Sequence, residues 1–157
     1  MLPNITLNNP LIMLISLKTV VVPLLLSVTA VDARCYGTGP QWNWSVGRST
    51  AQQHVKNACH GWWNGNKFEK GALQDTYFKP NSESPNPATV CVNAVTNKVG
   101  GYHMVMQVTN YQNTGRTLSQ KECEDGLISE VNSCEAGGES DKWGWKFRAD
   151  VEYGWCK

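Results

Sequence analysis

Cys35, Cys59, Cys91, Cys123, Cys134 and Cys156 are the residues of this chain whose type and spacing speak most directly of chemistry. Cysteines at such positions either join as disulfides or hold a metal. Zinc sites need closely paired ligands such as Cys-x2-Cys, and no two cysteines here are that near each other. Cys59-His60 is adjacent rather than chelating, so the expectation is no metal and no cofactor. A glycosidase would need two carboxylates straddling the scissile bond, but Glu122, Glu124, Asp125 and Glu130 belong to a capped helix whose charged face is ordinarily just wet. Neither a Gly-x-Ser-x-Gly elbow nor a His-Glu-x-x-His pair occurs. No catalytic residue is therefore assigned.

Aromatic side chains offer a different chemistry. Seven tryptophans, at 42, 44, 62, 63, 143, 145 and 155, exceed what a small domain can readily bury. An exposed indole stacks on the apolar C–H face of a sugar ring while neighbouring amides and hydroxyls bond its hydroxyl groups. Strand alternation or a neighbouring cysteine explains Trp42, Trp145 and Phe147 as core. Trp62 lies on a helical stripe, so Trp63 should point elsewhere, into solvent. Trp63, Trp62, Asn64, His103, Asn110 and Tyr111 are the candidate ligand-binding residues. His103 is placed on the outer, solvated face of its strand, beside Gln107 and Thr109.

These residues sit behind an apolar leader. Lys18 precedes the run Val20-Val21-Val22-Pro23-Leu24-Leu25-Leu26, and Val31-Asp32-Ala33 is a small-residue site, the layout of a secretory signal peptide over residues 1–33. The domain then occupies 34–157, is extracellular, and loses Lys18 and Asp32, keeping the net charge of +1. A near-neutral surface without basic runs argues against nucleic acid, whose binding draws on clustered Lys and Arg. No second apolar segment follows that would insert the mature chain in a membrane. An even cysteine count on the oxidising route allows up to three bridges. Asn43-Trp44-Ser45 is a glycosylation sequon, with Asn43 the acceptor.

The elements that must position these groups are legible from patterning. Ser49-Thr50-Ala51-Gln52 reads as a capping box, followed by Ala51, Val55, Ala58, Cys59 and Trp62 at helical spacing, with Gly61 as the stop. A second capping box, Ser119-Gln120-Lys121-Glu122, opens a helix with Cys123, Leu127, Val131 and Cys134 on one face and Gly137-Gly138 at its end. Gly126 inside it costs about 1 kcal/mol relative to alanine. On such a helix Cys123 and Cys134 stand about 16 Å apart, too far to bond to each other, so both pin the helix to other elements. Ala88–Thr96 and Tyr102–Thr109 read as an antiparallel hairpin around Asn97–Gly101, with Tyr102, Met104, Met106 and Val108 facing the core. Trp143–Asp150 forms a late strand with one buried side, Lys67–Phe78 adds one or two strands, and Lys79–Pro87 is a surface loop. The fold class is α+β, a single small disulfide-bonded domain with a mostly antiparallel sheet and two helices.

The order Cys35-Tyr36-Gly37-Thr38-Gly39-Pro40-Gln41-Trp42, a helix reaching Ala58-Cys59-His60-Gly61, Phe68 and a glycine, Cys91 on a strand, Cys123 and Cys134 on a helix, then Cys134-Glu135-Ala136-Gly137-Gly138 and Trp145-Lys146-Phe147-Arg148-Ala149-Asp150 before Cys156 resembles a fungal group of small secreted proteins that includes the glycan-binding protein of the ink-cap mushroom. The resemblance spans nearly the whole mature chain. It implies one domain with antiparallel strands between helices, three intrachain disulfides, and a lectin-like role. The chain departs from it at Val151-Glu152-Tyr153-Gly154. The function expected is a secreted glycan- or glycoprotein-binding protein, not an enzyme, with a homodimer allowed. The alternative is a secreted toxin or host-directed effector acting on a protein or membrane partner. More remote is a small secreted ribonuclease, which would set His103, Arg148 and a glutamate together on a sheet for acid–base work.

Overall fold

The structure, a computed structural model, describes residues 33–83, 87–94 and 101–157. The expected leader, apart from Ala33, lies outside the described residues, as do Val95–Gly100 of the hairpin and 84–86 of the Lys79–Pro87 loop.

Two helices are present. α1 spans Arg48–His60 and buries Ala51, Val55, Ala58 and Cys59, the expected stripe. Its N-cap is Gly47, with no side-chain cap, so the box expected at Ser49 does not form: Ser49 already lies inside the first turn. Gly61 ends the helix at φ 82°, a conformation that favours glycine. Trp62 thus falls beyond the helix, which corrects its place on the helical stripe. α2 spans Gln120–Ser133, and here the capping box is complete, Ser119 accepting from the Glu122 N–H while the Glu122 side chain reaches back.

The helices pack on one face of a five-stranded antiparallel sheet. Its strands are β1 (Arg34–Cys35), β5 (Ala88–Ala94), β6 (Tyr102–Asn110), β8 (Gly137–Lys142) and β9 (Trp145–Tyr153), in the order β1-β8-β9-β6-β5. β2 (Trp62–Asn64) and β3 (Lys67–Glu69) form a separate hairpin, and β4 (Tyr77–Phe78) pairs with β7 (Arg116–Thr117). Met104, Met106 and Val108 of β6 meet Phe147, Ala149 and Val151 of β9 beneath the helices, and Trp42, Trp145 and Leu73 complete the core. Gly137-Gly138 opens β8 instead of capping α2, whose C-cap is Cys134. A Cβ on Gly137 would meet the Ala149 carbonyl oxygen at 2.5 Å, so the strand can approach β9 this closely only without one.

Cys59–Cys123 joins the two helices, Cys35–Cys134 ties β1 to the end of α2, and Cys91–Cys156 ties β5 to the C-terminal segment, leaving no free cysteine. Cys123 and Cys134 indeed pin the second helix to two different elements. The fold is the small disulfide-bonded α+β domain expected. No described helix is long and apolar enough to cross a membrane.

Candidate functional site

The β2–β3 hairpin grows directly from the end of α1. Gly61 donates its N–H to the Asn57 carbonyl and Leu73 donates to that of Ala58, which fixes both legs of the hairpin on the last helical turn. The turn is only Gly65-Asn66, so Trp63 stands opposite Phe68 and Asn64 opposite Lys67. Trp63 and Phe68 meet edge to face with centroids 5.5 Å apart. Trp63 is 70% exposed, the most of any large apolar side chain among the described residues, and Phe68 is 44% exposed. Asn64 is exposed beside them.

Because side chains alternate along a strand, Trp62 turns to the other side of the hairpin. There it borders a cleft of about 310 Å³ between α1 and β5, lined also by His54, Asn57, Lys70, Val90 and Val92. Trp62 is 42% exposed. The cleft is chiefly apolar with three polar groups converging on it, the ordinary composition of a small-molecule site. Burial holds the His54 pKa below its usual value, so its imidazole favours the neutral form, which can both donate and accept. Gln53 donates to Asn57 Oδ1 at 2.8 Å and so orients that amide.

The other three candidates are elsewhere. His103 is on the outer face of β6 as expected but is buried rather than solvated, at 9% exposure. The cause is the C-terminal segment, which the Cys91–Cys156 bridge and a bond from the Cys156 N–H to Asn93 Oδ1 bring over this end of the sheet. The His103 ring lies 3.2 Å from the Gly154 carbonyl oxygen through Nδ1 and 3.4 Å from Glu152 through Nε2. Asn110 is likewise buried: its amide donates to the carbonyls of Lys79 and Thr114 and accepts from the Gln112 N–H. Those bonds hold a loop together and leave little of the amide for a ligand. Tyr111 is exposed, but its ring lies near Lys146, 6.0 Å from the ammonium, and not on the hairpin.

The structure thus unites Trp62, Trp63 and Asn64 and separates them from His103, Asn110 and Tyr111. His54, Asn57 and Lys70 went unassigned in the sequence because they converge only when the chain returns past α1. A polar residue one turn before the helix end, followed by an aromatic hairpin, is the signal they carried. Asn43 of the sequon is exposed on a short 3₁₀ turn, Trp42–Trp44. Among the described residues, no group of three His, Cys, Asp or Glu is placed to hold a metal ion.

No protein-family description matches the chain, and no curated protein matches it significantly. What the chain's own geometry offers is what speaks to its function.

Proposed function

We propose that this protein is an extracellular carbohydrate-binding protein whose recognition surface is the β2–β3 hairpin and the cleft beside it. The observation that carries the reading is the exposure of Trp62 and Trp63 on opposite sides of one three-residue strand, outside the core. Leaving the two indoles partly exposed forfeits a share of the roughly 1.5–3 kcal/mol that full burial of a large apolar side chain supplies, which a ligand can recover. Trp63 with Phe68 offers a stacking surface, with the Asn64 amide at its margin. Trp62 offers a second ring at the mouth of a pocket containing an imidazole, an amide and an ammonium group, whose donors and acceptors suit sugar hydroxyls. Three disulfides in a domain of this size accord with the oxidising export route that the leader suggests, and with glycosylation at Asn43.

Screening the purified protein against a broad glycan panel tests this. Trp63→Ala should sharply weaken binding to the glycans that the hairpin recognises, while moving the melting temperature by less than about 2 °C, as for an exposed residue outside the core. Unchanged glycan affinity in the variant, or a large loss of stability, defeats the assignment of Trp63. A second reading has one observation in its favour: β5 is an edge strand of the sheet and borders the Trp62 cleft, so an extended segment of a protein partner could add to it. A silent glycan panel, with activity on target cells that survives glycosidase treatment, would select that reading.

A further inference from the structure

The sheet face away from the helices is polar, and a polar face is normally just wet. This one is not. Arg148 of β9 is only 28% exposed and Asp150 only 13%. The Arg148 guanidinium donates to Gln107 Oε1 at 3.1 Å, to Asp150 at 2.7 Å and to Glu152 at 3.1 Å. It also lies 5.6 Å from the centre of the Tyr36 ring. Gln107 in turn donates to Thr89 at 3.2 Å, and Lys146 pairs with Glu139 at 2.9 Å. These groups surround a concavity of about 380 Å³ lined by Tyr36, Gln107, Thr109, Glu139, Lys146 and Arg148, with Pro87 at its rim.

Holding so many charged side chains in one arrangement is a poor way to stabilise a fold, because desolvation and lost rotamer freedom consume most of the Coulombic gain. Such groups, with pKa values displaced together, are commoner at binding and catalytic sites. Burial raises Tyr36 and Asp150, and the hydrogen bond from Lys146 to Glu139 raises Lys146.

We propose that this concavity is a second ligand site, separate from the hairpin, and that it takes a neutral polyhydroxylated molecule, a mono- or disaccharide. The ligand class follows from compensation. Lys146 is paired with Glu139, and Arg148 with both Asp150 and Glu152, two cations against three carboxylates, so an anion entering the cavity must break an existing pair against a net negative charge, while a cation finds every one of these carboxylates already engaged by Lys146 or Arg148. A sugar breaks none. Its vicinal hydroxyls each donate and accept, and can bridge adjacent members such as Lys146 and Glu139, or Arg148 and Gln107. Tyr36 and Pro87 supply apolar surface for its C–H groups. A volume of this size accommodates one or two sugar rings. The site does not require the hairpin to bind anything. If both bind, one monomer carries two sites on different faces and cross-links glycan-bearing surfaces without dimerising.

Amide NMR on the ¹⁵N-labelled protein separates the two sites. Glucose, galactose, mannose and N-acetylglucosamine would each be added to about 50 mM, above the millimolar Kd that a few hydrogen bonds sustain. At least one should move the backbone amides of Gln107, Thr109 and Lys146 and the Gln107 side-chain amide along a saturating curve. Glu139→Gln, nearly isosteric, should weaken that response about tenfold or more while the remaining spectrum stays folded. Thr109→Phe, which fills the cavity, should abolish it. Trp62→Ala and Trp63→Ala should leave it intact. Silence of these amides toward all four sugars overturns the proposal, as does an undiminished response in Glu139→Gln. Saturation by sodium acetate or phosphate at lower concentration overturns it too, by making the site one for anions. Shifts confined to Trp62, Trp63 and their neighbours would sink this site and keep the hairpin reading; shifts confined to the sheet face would do the reverse.

Discussion

Replacing Gly126 by alanine sets two effects of opposite sign against each other. Judged as a helix position, Gly126→Ala should stabilise by about 1 kcal/mol, since glycine is that much poorer than alanine in a helix interior. Judged from the fold, it should destabilise. A Cβ at 126 would stand 2.5 Å from Cε2 and Cζ and 2.6 Å from Cδ1 of Phe147, whereas carbon atoms in contact prefer about 3.5–4.0 Å. Phe147 is fully buried on β9, a strand paired on both sides, so its ring has little freedom to withdraw by the ångström required. Overpacking of this kind costs about 1–3 kcal/mol, and contact with three atoms of one ring places it at the upper end. Net of the helical gain, the loss is about 1–2 kcal/mol, or on the order of 5 °C in melting temperature for a domain of this length. Urea unfolding at neutral pH reads it directly. The double variant Gly126→Ala, Phe147→Leu should show the two changes coupling favourably, since each accommodates the other. If Gly126→Ala alone raises the unfolding midpoint without changing the slope, the close approach of α2 to β9 is wrong and helix propensity governs.

Glu122 joins the α2 cap to the core, accepting from Ser119 with one oxygen and from Arg116 at 2.8 Å and Trp145 Nε1 at 3.2 Å with the other, so Glu122→Ala should cost about 2–4 kcal/mol in urea unfolding, more than a cap alone. Burial places the His54 pKa below its ordinary 6.5, so as pH falls through that value the unfolded chain takes the proton first and stability drops; His54→Gln should remove this part of the loss, measured as the difference between the two pH–stability curves from about pH 7 to 5. Intact and reduced protein should differ in mass by six hydrogens, and the pair Cys59→Ala, Cys123→Ala, opening a bridge of sequence separation 64, should lower stability by about 4 kcal/mol.

What could be read in the sequence was local and periodic. The stripe Ala51, Val55, Ala58, Cys59 predicts α1 because burial on a helix repeats every three or four residues, and the alternation through Met104, Met106 and Val108 predicts the core face of β6. The Ser119 cap follows from a hydroxyl and a carboxylate three residues apart, with no tertiary help needed. Where tertiary packing decides, the reading fails. Gly137-Gly138 has the composition of a helix stop, yet the chain uses it to slip a strand against β9. Ser49 has the composition of a cap, but Arg48 donates to the Val131 and Asn132 carbonyls at the end of α2 and is drawn into the first turn ahead of it. Trp63 was legible as exposed because nothing periodic claimed it. The cleft at Trp62 was not, since His54, Lys70 and Val92 are brought together only by the return of β5 past α1.

The outer face shows the same division with a functional consequence. Lys146 and Arg148 were legible as the polar side of a strand expected over Trp143–Asp150, but β9 runs from Trp145 to Tyr153 and adds Asp150 and Glu152 to that face; that it folds into a concavity walled by Tyr36 was not legible, because Tyr36 arrives more than a hundred residues earlier in the chain. Glu152 links His103 to Arg148, so the histidine, glutamate and arginine named for an acid–base enzyme do meet on one sheet. Their order along it matters. His103 stands opposite Glu152 while Arg148 stands opposite Gln107, four residues further along β6, or about 13 Å at strand spacing. His103 does not line the concavity, and the segment held down by Cys91–Cys156 lies over it. To exchange a proton with a substrate seated above Arg148, His103 would need that segment to lift against a covalent bridge. Of the groups that do face the concavity, Lys146, Glu139, Gln107 and the two terminal nitrogens of Arg148 are already paired before any ligand arrives, while Arg148 Nε is buried without a partner. On the proposed reading this face holds a molecule without His103, and severing the Cys91–Cys156 bridge should expose His103 while leaving the Lys146–Glu139 pair where it is.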